Sequence, residues 1–331
     1  MTVTKQNKHI EIVISLLSGL NIMTPESSNE VSNILKKYFT DVGITVIKEE
    51  VDLENLIKEK PDLVFLGVKY VGFTADTTRR ESPDKIWLSE YLESNGVNHT
   101  ASKAIALKLE FNKILAKEVM QRNNINTAPF FIAKPGQYKN NEELPLRFPL
   151  FIKPVYEGNG KGIDQDSIVA NFAAFEKKVE SIYEEFRGSS LIETYLSGRE
   201  FTVGIFGAIS NEWETAMPVE IKASDNYGNK ILSFEVKTED NERLIPIQDA
   251  EEHKRISEFA KKAFIALGAR DYGRIDIRMD ENGVLFFLEA NLLPGLNPRK
   301  SYFIKTCKIN NQAGYEEAIL RIVETALERS N

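Results

Sequence analysis

The chain has 331 residues, 42% of them hydrophobic and 27% charged, which is typical of a globular protein of two or three domains with buried cores. Its formal net charge of −7 argues against a general nucleic-acid-binding protein. The single cysteine, Cys307, excludes an intramolecular disulfide and favours a reducing, cytoplasmic location. No apolar run approaches the roughly 20 residues of a membrane helix, and the polar start predicts no signal peptide. The three histidines are scattered and give no support to zinc or Ser-His-Asp chemistry.

The first hundred residues alternate between strand-like and helix-like patterns. The strand candidates are short apolar runs at 9–17, 44–51 and 62–67. Helical spacing of apolar residues predicts a helix at 31–39, with Ser27 and Glu30 as a capping box and Gly43 as its stop. This alternation predicts parallel strands with right-handed crossovers, so we predict an N-terminal α/β domain over residues 1–100.

The middle of the chain holds lysines and a glycine-rich loop. One long helix is predicted from Ser102 to Asn123, with Lys113 and Lys117 one turn apart. An apolar strand ends at Lys153, and glycines then occur at every second position from Gly158 to Gly162. This loop is neither a Walker A motif nor a dinucleotide fingerprint. Its backbone N–H groups suit a phosphate, although a plain hairpin turn fits the same residues.

The region after residue 217 contains a long polar stretch followed by a helix. Residues 218–247 show little periodicity, and stretches of this length are usually functional lids or disordered. We predict a lid here. The following amphipathic helix is predicted at 251–267, with Asp249 as its N-cap and Gly268 at its C-terminal end.

A hairpin near the C-terminus places polar residues on one face. Asn282-Gly283 between alternating apolar runs predicts a type I′ turn with these two residues at its centre. Counting outward from that turn gives polar pairs on one face, Asp276–Glu289 and Arg274–Asn291. The same count gives apolar pairs on the other face, Ile277–Leu288, Ile275–Ala290 and Met279–Phe286. Opposed carboxylates repel unless a cation such as magnesium lies between them; the alternative is a solvated face with tolerated charges.

In combination, these segments resemble the ATP-grasp superfamily and, within it, the D-alanine–D-alanine ligases. The segments that carry the resemblance lie at 112–129, 151–162, 191–203, 273–276 and 288–295. The resemblance spans about residues 100 to 305, and the first hundred residues match in strand order only. It implies an α/β (α+β) ATP-grasp fold of three subdomains, with ATP held between two α+β lobes. The expected limits are 1–100, 101–190 and 191–331.

The resemblance implies that ATP is bound by lysines, the glycine loop and a hinge segment. Lys113 and Lys153 would bind α- and β-phosphate oxygens as point charges, and Lys237 would reach the γ-phosphate from the lid. Gly158, Asn159 and Gly160 would contact the β- and γ-phosphates. The carboxylate of Glu193 and the backbone of Thr194 and Leu196 would contact the edge of the adenine. Glu200 would hold the ribose hydroxyls.

The same resemblance implies two magnesium ions, or manganese, bound by Asp276, Glu289 and Asn291. Arg274 and the backbone N–H of Gly295 would stabilise negative charge on an acyl phosphate and on the tetrahedral oxyanion. The implied reaction joins two small molecules, a carboxylate and an amine, which are expected to be amino acids. ADP and an acyl phosphate form first, and an amide follows. A homodimer with no nucleic-acid or membrane partner is expected.

The residues that hold the amino acids in this family differ here. Asn159 stands where the family has a serine in the glycine loop, and Thr238 stands where it has a tyrosine after the lid lysine. Lys300, next to Arg299, replaces a serine that binds the second substrate's carboxylate. These two basic residues either bind a substrate carboxylate or form a solvated turn.

The family's early Gly-Gly-x-Ser-x-Glu segment is absent, and only Glu26 or Glu30 matches its glutamate by position. We therefore predict a ligase with altered substrates. Two other functions remain open: a true D-alanine–D-alanine ligase whose amino-acid pocket is rebuilt from other residues, and a nucleotide-binding protein without ligase activity.

Overall fold

The computed structural model describes residues 4–16, 22–73, 84–156, 160–207, 215–223 and 242–329. Four of the predicted site residues lie outside the described residues: Gly158, Asn159, Lys237 and Thr238. None of the helices within the described ranges is long and apolar enough to cross a membrane.

The N-terminal part is built on a three-stranded parallel sheet. Its elements are β1 (Gln6–Ser15), α1 (Pro25–Leu35), β2 (Phe39–Ile47), α2 (Glu50–Lys58), β3 (Leu63–Leu66), β4 (Tyr70–Val71), β5 (Ile86–Trp87) and α3 (Leu88–Ser94). The strand order is β2-β1-β3, with both pairings parallel. The predicted parallel sheet is therefore confirmed. Helix α2 was not predicted. The strand expected at 44–51 ends at Ile47, and the helix begins within the range that was assigned to the strand.

The predicted limits of the first helix are wrong at both ends. The capping box is formed by Thr24 and Ser27 rather than by Ser27 and Glu30, because Pro25 suits the first turn and starts the helix earlier. Gly43 does not stop the helix but lies within β2, opposite Glu11. A Cβ at position 43 would lie 2.0 Å from a carboxylate oxygen of Glu11, so any other residue here would require the Glu11 side chain to move.

The predicted long helix is two helices, α4 (Ala104–Phe111) and α5 (Lys113–Arg122). Asn112 breaks it with an extended backbone, and its side-chain oxygen accepts a hydrogen bond from the N–H of Leu115 at 3.1 Å. An N-cap of this kind starts a new helix. Lys113 is consequently the first residue of α5.

The central part is an antiparallel sheet packed on one helix. Its elements are β6 (Phe130–Ala133), β7 (Leu150–Pro154), β8 (Ile168–Val169), α6 (Phe172–Phe186) and β9 (Ser190–Thr194), in the strand order β6-β9-β7-β8. Buried residues such as Ile152, Phe175 and Val179 form a core of their own. Helix α6 begins at Phe172, because the side chain of Asn171 caps it.

The C-terminal part is a five-stranded antiparallel sheet with helices. Its elements are β10 (Glu200–Phe206), β11 (Thr215–Ala223), β12 (Glu242–Pro246), α7 (Ala250–Ala266), β13 (Tyr272–Met279), β14 (Leu285–Asn291), α8 (Tyr302–Ile309) and α9 (Tyr315–Glu328). The strand order is β12-β11-β10-β13-β14. The ends of the predicted polar lid at 218–247 are the strands β11 and β12, while residues 224–241 lie outside the described ranges.

Candidate active site

The predicted polar pairs on the hairpin are confirmed. Strands β13 and β14 are antiparallel, and Asp276 lies opposite Glu289 while Arg274 lies opposite Asn291. Two carboxylates, an amide and a guanidinium are thus brought onto one part of the sheet. This geometry follows from an extra residue in β14 rather than from the turn that was predicted.

The predicted type I′ turn at Asn282-Gly283 is wrong. Only Gly283 has a positive φ, of 76°, whereas a type I′ turn needs two such residues. The turn is instead closed by Asp280, whose carboxylate accepts from the N–H groups of Asn282 at 2.9 Å and Val284 at 2.8 Å. The backbone carbonyl oxygen of Asp280 also accepts a hydrogen bond from the N–H of Gly283 at 3.2 Å.

A β-bulge corrects the register between the turn and the polar pairs. Near the turn, Ile277 pairs with Phe287 and Met279 with Leu285, so the predicted pairs Ile277–Leu288 and Met279–Phe286 are wrong. The register shifts between Ile277 and Asp276, and the predicted pair Ile275–Ala290 is confirmed. Leu288 is the extra residue, so Leu288 and Glu289 both line the same cleft. Bulges commonly re-aim side chains beside active sites in this way.

The cleft lies between the four-stranded and the five-stranded sheets. Lys153 and Glu193 line it from the first sheet, and Asp276, Arg278 and Glu289 line it from the second. Its volume is about 770 Å³, including space open to solvent. Residues of both sheets therefore face one shared space.

In the wall of the cleft, the buried carboxylate of Glu193 lies between two lysines. Lys153 Nζ is 2.7 Å from Glu193 Oε2, and Lys117 Nζ contacts Oε1. Burial acts to raise the pKa of Glu193, but the two ammonium groups outweigh it and lower the pKa to about 2. Burial lowers the pKa of Lys117. Both oxygens of Glu193 are thus engaged by lysines, and its contact with adenine stays a prediction.

Lys117 was not assigned a role from the sequence, although its place one turn after Lys113 was visible. Lys117 also donates to Thr127 Oγ1 at 2.6 Å. Lys113 is buried too, and its Nζ lies 3.4 Å from the carbonyl oxygen of Val155, just after β7. Lys113 therefore lies beside the residue that follows β7, ahead of the glycine loop.

The hinge between the two sheets lines the same cleft. Thr194, Tyr195 and Leu196 contribute to the wall. Within the described ranges, the backbone N–H of Leu196 has no hydrogen-bond acceptor, and its contact with a base stays a prediction. Glu200 begins β10, lines the cleft and accepts from Arg278 at 3.0 Å.

Beside the cleft, Arg274 holds Asp276 with two hydrogen bonds. Its Nε and one terminal nitrogen each donate to a different Asp276 oxygen at 3.0 Å, and Thr202 Oγ1 donates at 2.6 Å. Burial acts to lower the pKa of Arg274, but Asp276 outweighs it and raises the pKa. The guanidinium also lies 5.3 Å from the ring centroid of Tyr302, a residue that sequence reasoning missed.

The donor set beside Arg274 fits a magnesium ion. Asp276, Glu289 and Asn291 offer carboxylate and amide oxygens, which are the ligands magnesium prefers. The three hydrogen bonds to Asp276 leave it further acceptor capacity, because a carboxylate offers about four lone-pair sites. Lys69 of the N-terminal part lies 3.4 Å from Asn291 Oδ1 and also forms an ion pair with Glu110.

Gly295 lies in the turn after β14. Its carbonyl accepts from Ser301 Oγ, whereas its N–H has no acceptor among the residues described. The contact of this N–H group with an oxyanion stays a prediction.

The predicted substrate residues that the structure describes do not line the cleft. Arg299 and Lys300 are exposed, and their backbone N–H groups donate to Asn297 Oδ1. Glu26 is exposed in the first turn of α1, and Glu30 lies on the same helix, half-buried. The described cleft is therefore the nucleotide and metal part of the predicted site, without these four side chains.

The family described as D-ala D-ala ligase C-terminus matches residues 119–324. The chain belongs to the D-alanine–D-alanine ligase family. This membership places it in the class of ATP-dependent ligases that form C–N bonds. The match includes Lys153, Glu193 and both strands of the hairpin.

Individual relatives agree with this membership. Over 206 residues, the chain is 31% identical to the D-alanine–D-alanine ligase of Lacticaseibacillus casei. The aligned region covers 62% of this chain and 54% of that protein. It is 29% identical to the corresponding ligase of Geobacter sulfurreducens over 238 residues, 71% of each chain.

Solved structures of this family share the whole fold. A Bacillus anthracis D-alanine–D-alanine ligase complexed with ATP has a TM-score of 0.71 at 21% identity and covers 98% of this chain and 99% of its own. VanG, a D-Ala:D-Ser ligase from Enterococcus faecalis, has a TM-score of 0.68 at 19% identity, with coverage of 97% and 100%. The predicted ATP-grasp fold is thereby confirmed.

Proposed function

We propose that this protein is an ATP- and magnesium-dependent carboxylate–amine ligase that forms an amide through an acyl phosphate. One observation carries the proposal. A single cleft joins Glu193 and its two buried lysines to the opposed carboxylates of Asp276 and Glu289. A nucleotide bound along this cleft would have its base near the hinge and its phosphates near the carboxylates.

Each part of the nucleotide has its own group of residues in this proposal. The base lies against the hinge from Thr194 to Leu196, and Glu200 accepts from the ribose hydroxyls. Lys153 and Lys113 bind the α- and β-phosphates. Gly158, Asn159 and Gly160 close over the β- and γ-phosphates, and Lys237 reaches the γ-phosphate from the lid.

Asp276, Glu289 and Asn291 would hold the magnesium ions. When bound, magnesium neutralises phosphoryl charge and positions the reactants. Arg274 is already fixed by Asp276 and by the ring of Tyr302, so it stabilises developing charge without rearranging. Such preorganisation is the main source of electrostatic catalysis.

The reaction proceeds in two steps. The carboxylate of the first substrate attacks the γ-phosphorus, the bond to the β–γ bridging oxygen breaks, and ADP leaves. The amine of the second substrate then attacks the acyl carbon and loses a proton, and phosphate leaves. Arg274 and the N–H of Gly295 stabilise the oxyanion that forms on the acyl carbon.

We propose amino acids other than two D-alanines as the substrates. Asn159, Thr238 and Lys300 differ from the family's amino-acid contacts, while the nucleotide and metal residues match. The proposal also includes a cytoplasmic location, a homodimer and three subdomains. The second limit, expected at residue 190, moves to about residue 195, because β9 (Ser190–Thr194) pairs within the central sheet and β10 within the next. A true D-alanine–D-alanine ligase is the second candidate, because the curated relatives carry that name.

The test is ADP release over pairs of D- and L-amino acids with ATP and magnesium. We expect release to require an acid and an amine together, and to be weak with D-alanine alone. Efficient D-alanine ligation would establish the second candidate. ATP turnover that ignores every added acid, or no turnover with any pair, would contradict the ligase proposal.

A further inference from the structure

Arg278 is a buried cation in the wall of the cleft that has no role in the function proposed above. Its side chain is 8% exposed, and it lines the cleft together with Tyr195 and Glu200. The guanidinium carbon lies 5.5 Å from the ring centroid of Tyr195. One terminal nitrogen donates to Glu200 Oε2 at 3.0 Å. Arg278 therefore connects the hinge to the proposed ribose residue.

The backbone places Arg278 and Glu200 opposite each other on neighbouring strands. Arg278 is the direct cross-strand partner of Glu200 in the pairing of β13 with β10. Directly opposed side chains of opposite charge attract, and a guanidinium–carboxylate hydrogen bond is among the stronger ones. The contact therefore restricts which way the Glu200 carboxylate points within the cleft.

In the proposed function, the Glu200 carboxylate accepts from the ribose hydroxyls. A carboxylate offers about four lone-pair sites, and Arg278 donates to its Oε2. Two adjacent ribose hydroxyls need two acceptor sites in a fixed orientation. A carboxylate that is free to rotate would spend only part of its time in the orientation that accepts from both hydroxyls, and ribose binding would be weaker.

We infer that Arg278 is a positioning residue that fixes Glu200 for both ribose hydroxyls and so makes this site select ribonucleotides over 2′-deoxyribonucleotides. The inference rests on the proposed use of the cleft for ATP. It adds a specificity determinant that acts through Glu200 and not by direct contact with the sugar.

Arg199 provides a matched control. Its guanidinium also pairs with carboxylates, those of Glu220 at 2.8 Å and Glu252 at 2.6 Å, and it lies 5.0 Å from the ring centroid of Phe201. It has the same chemistry, close to Glu200 in the chain, but it does not line the cleft. Removing it tests the general effect of losing a paired arginine from this sheet.

The experiment measures equilibrium binding of ATP and of 2′-deoxy-ATP, each with magnesium, by calorimetry, so no amino-acid substrate is needed. The unmodified protein should favour ATP by about tenfold, the effect of one hydrogen bond to a charged group. Arg278→Met should reduce the preference below about threefold, chiefly by weakening ATP. Arg278→Lys, which keeps the charge without the planar fork, should give an intermediate ratio, and Arg199→Met should keep the full preference.

The outcomes separate this inference from the proposed function. If Arg278→Met and Arg278→Lys both bind ATP with the unmodified preference, or weaken both nucleotides equally, Arg278 does not position Glu200. An equal loss of preference in Arg199→Met would also overturn the inference. No binding of either nucleotide by the unmodified protein would overturn the proposed function, and this inference with it.

Discussion

Asp276 lies opposite Glu289 because β14 contains one residue, Leu288, that has no partner in β13. Without this bulge, the register set by the turn would place Leu288 opposite Asp276. Residues on a strand alternate between faces, and the bulge interrupts that alternation so that Leu288 and Glu289 both line the cleft. The metal site proposed here thus depends on a local irregularity in the sheet.

Glu289→Ala should abolish magnesium-dependent turnover while leaving the fold intact. Loss even of outer contacts around a metal typically reduces affinity or activity about 10–100-fold, so loss of a ligand should reduce activity at least 100-fold or so. ADP release across a magnesium titration measures this. Glu281→Ala, in the exposed turn of the same hairpin, is the matched control and should keep its activity. Near-normal rates for Glu289→Ala at saturating magnesium would rule out the metal role.

Asp280→Ala should destabilise the protein through the hairpin turn. The carboxylate accepts two backbone N–H groups, and hydrogen bonds to charged groups contribute about 1.5–3 kcal/mol when buried. Because this turn is largely exposed, we expect a loss of roughly 1–2 kcal/mol in the free energy of unfolding, measured by urea titration. Asp280→Asn, which retains one acceptor oxygen, should lose less. Equal stability for all three proteins would show that Asp280 does not hold the turn.

Lys69→Met should destabilise the junction between the N-terminal part and the metal site. Lys69 is buried, and its partner Glu110 also accepts from the N–H of Leu292 at 2.9 Å. Removing one member of a buried ion pair costs about 3–5 kcal/mol, whereas replacing both by uncharged groups is often neutral. The double variant Lys69→Met/Glu110→Gln should therefore recover much of the stability lost by Lys69→Met, as read from denaturant midpoints. A double variant as unstable as the sum of the two single variants would refute this coupling.

His99 should make the protein less stable as the pH falls from about 6.5 to about 4. Burial, and the charge of Arg270, lower the pKa of His99 from 6.5 to about 4. In this window the unfolded chain binds a proton that the folded protein excludes, so stability falls with decreasing pH. The total contribution is at most roughly 3 kcal/mol.

The measurement is the unfolding free energy at several pH values for the unmodified protein and for His99→Gln. The variant should lose this part of the pH dependence, so the difference between the two proteins should shrink as the pH falls from 6.5 to 4. A difference that is constant across this range would show that His99 does not contribute to the acid sensitivity.

Several elements were determined by the sequence alone because their signals are local. The helix with Asp249 as its N-cap was predicted within a residue or so, since periodicity and capping involve neighbours in the chain. The polar pairs of the hairpin were also predicted. Their register came out right only because the bulge offset the error in the predicted turn.

The tertiary structure alone decided how the charged groups meet. Lys117 and Lys153 share Glu193, Arg278 holds Glu200, Tyr302 lies against Arg274, and Lys69 reaches Asn291 from the N-terminal part. These partners lie far apart in the chain, and no periodicity encodes their contact. Burying a charge is unfavourable unless a partner is placed beside it, so the packing of the sheets determines which of these side chains pair and where the cleft forms.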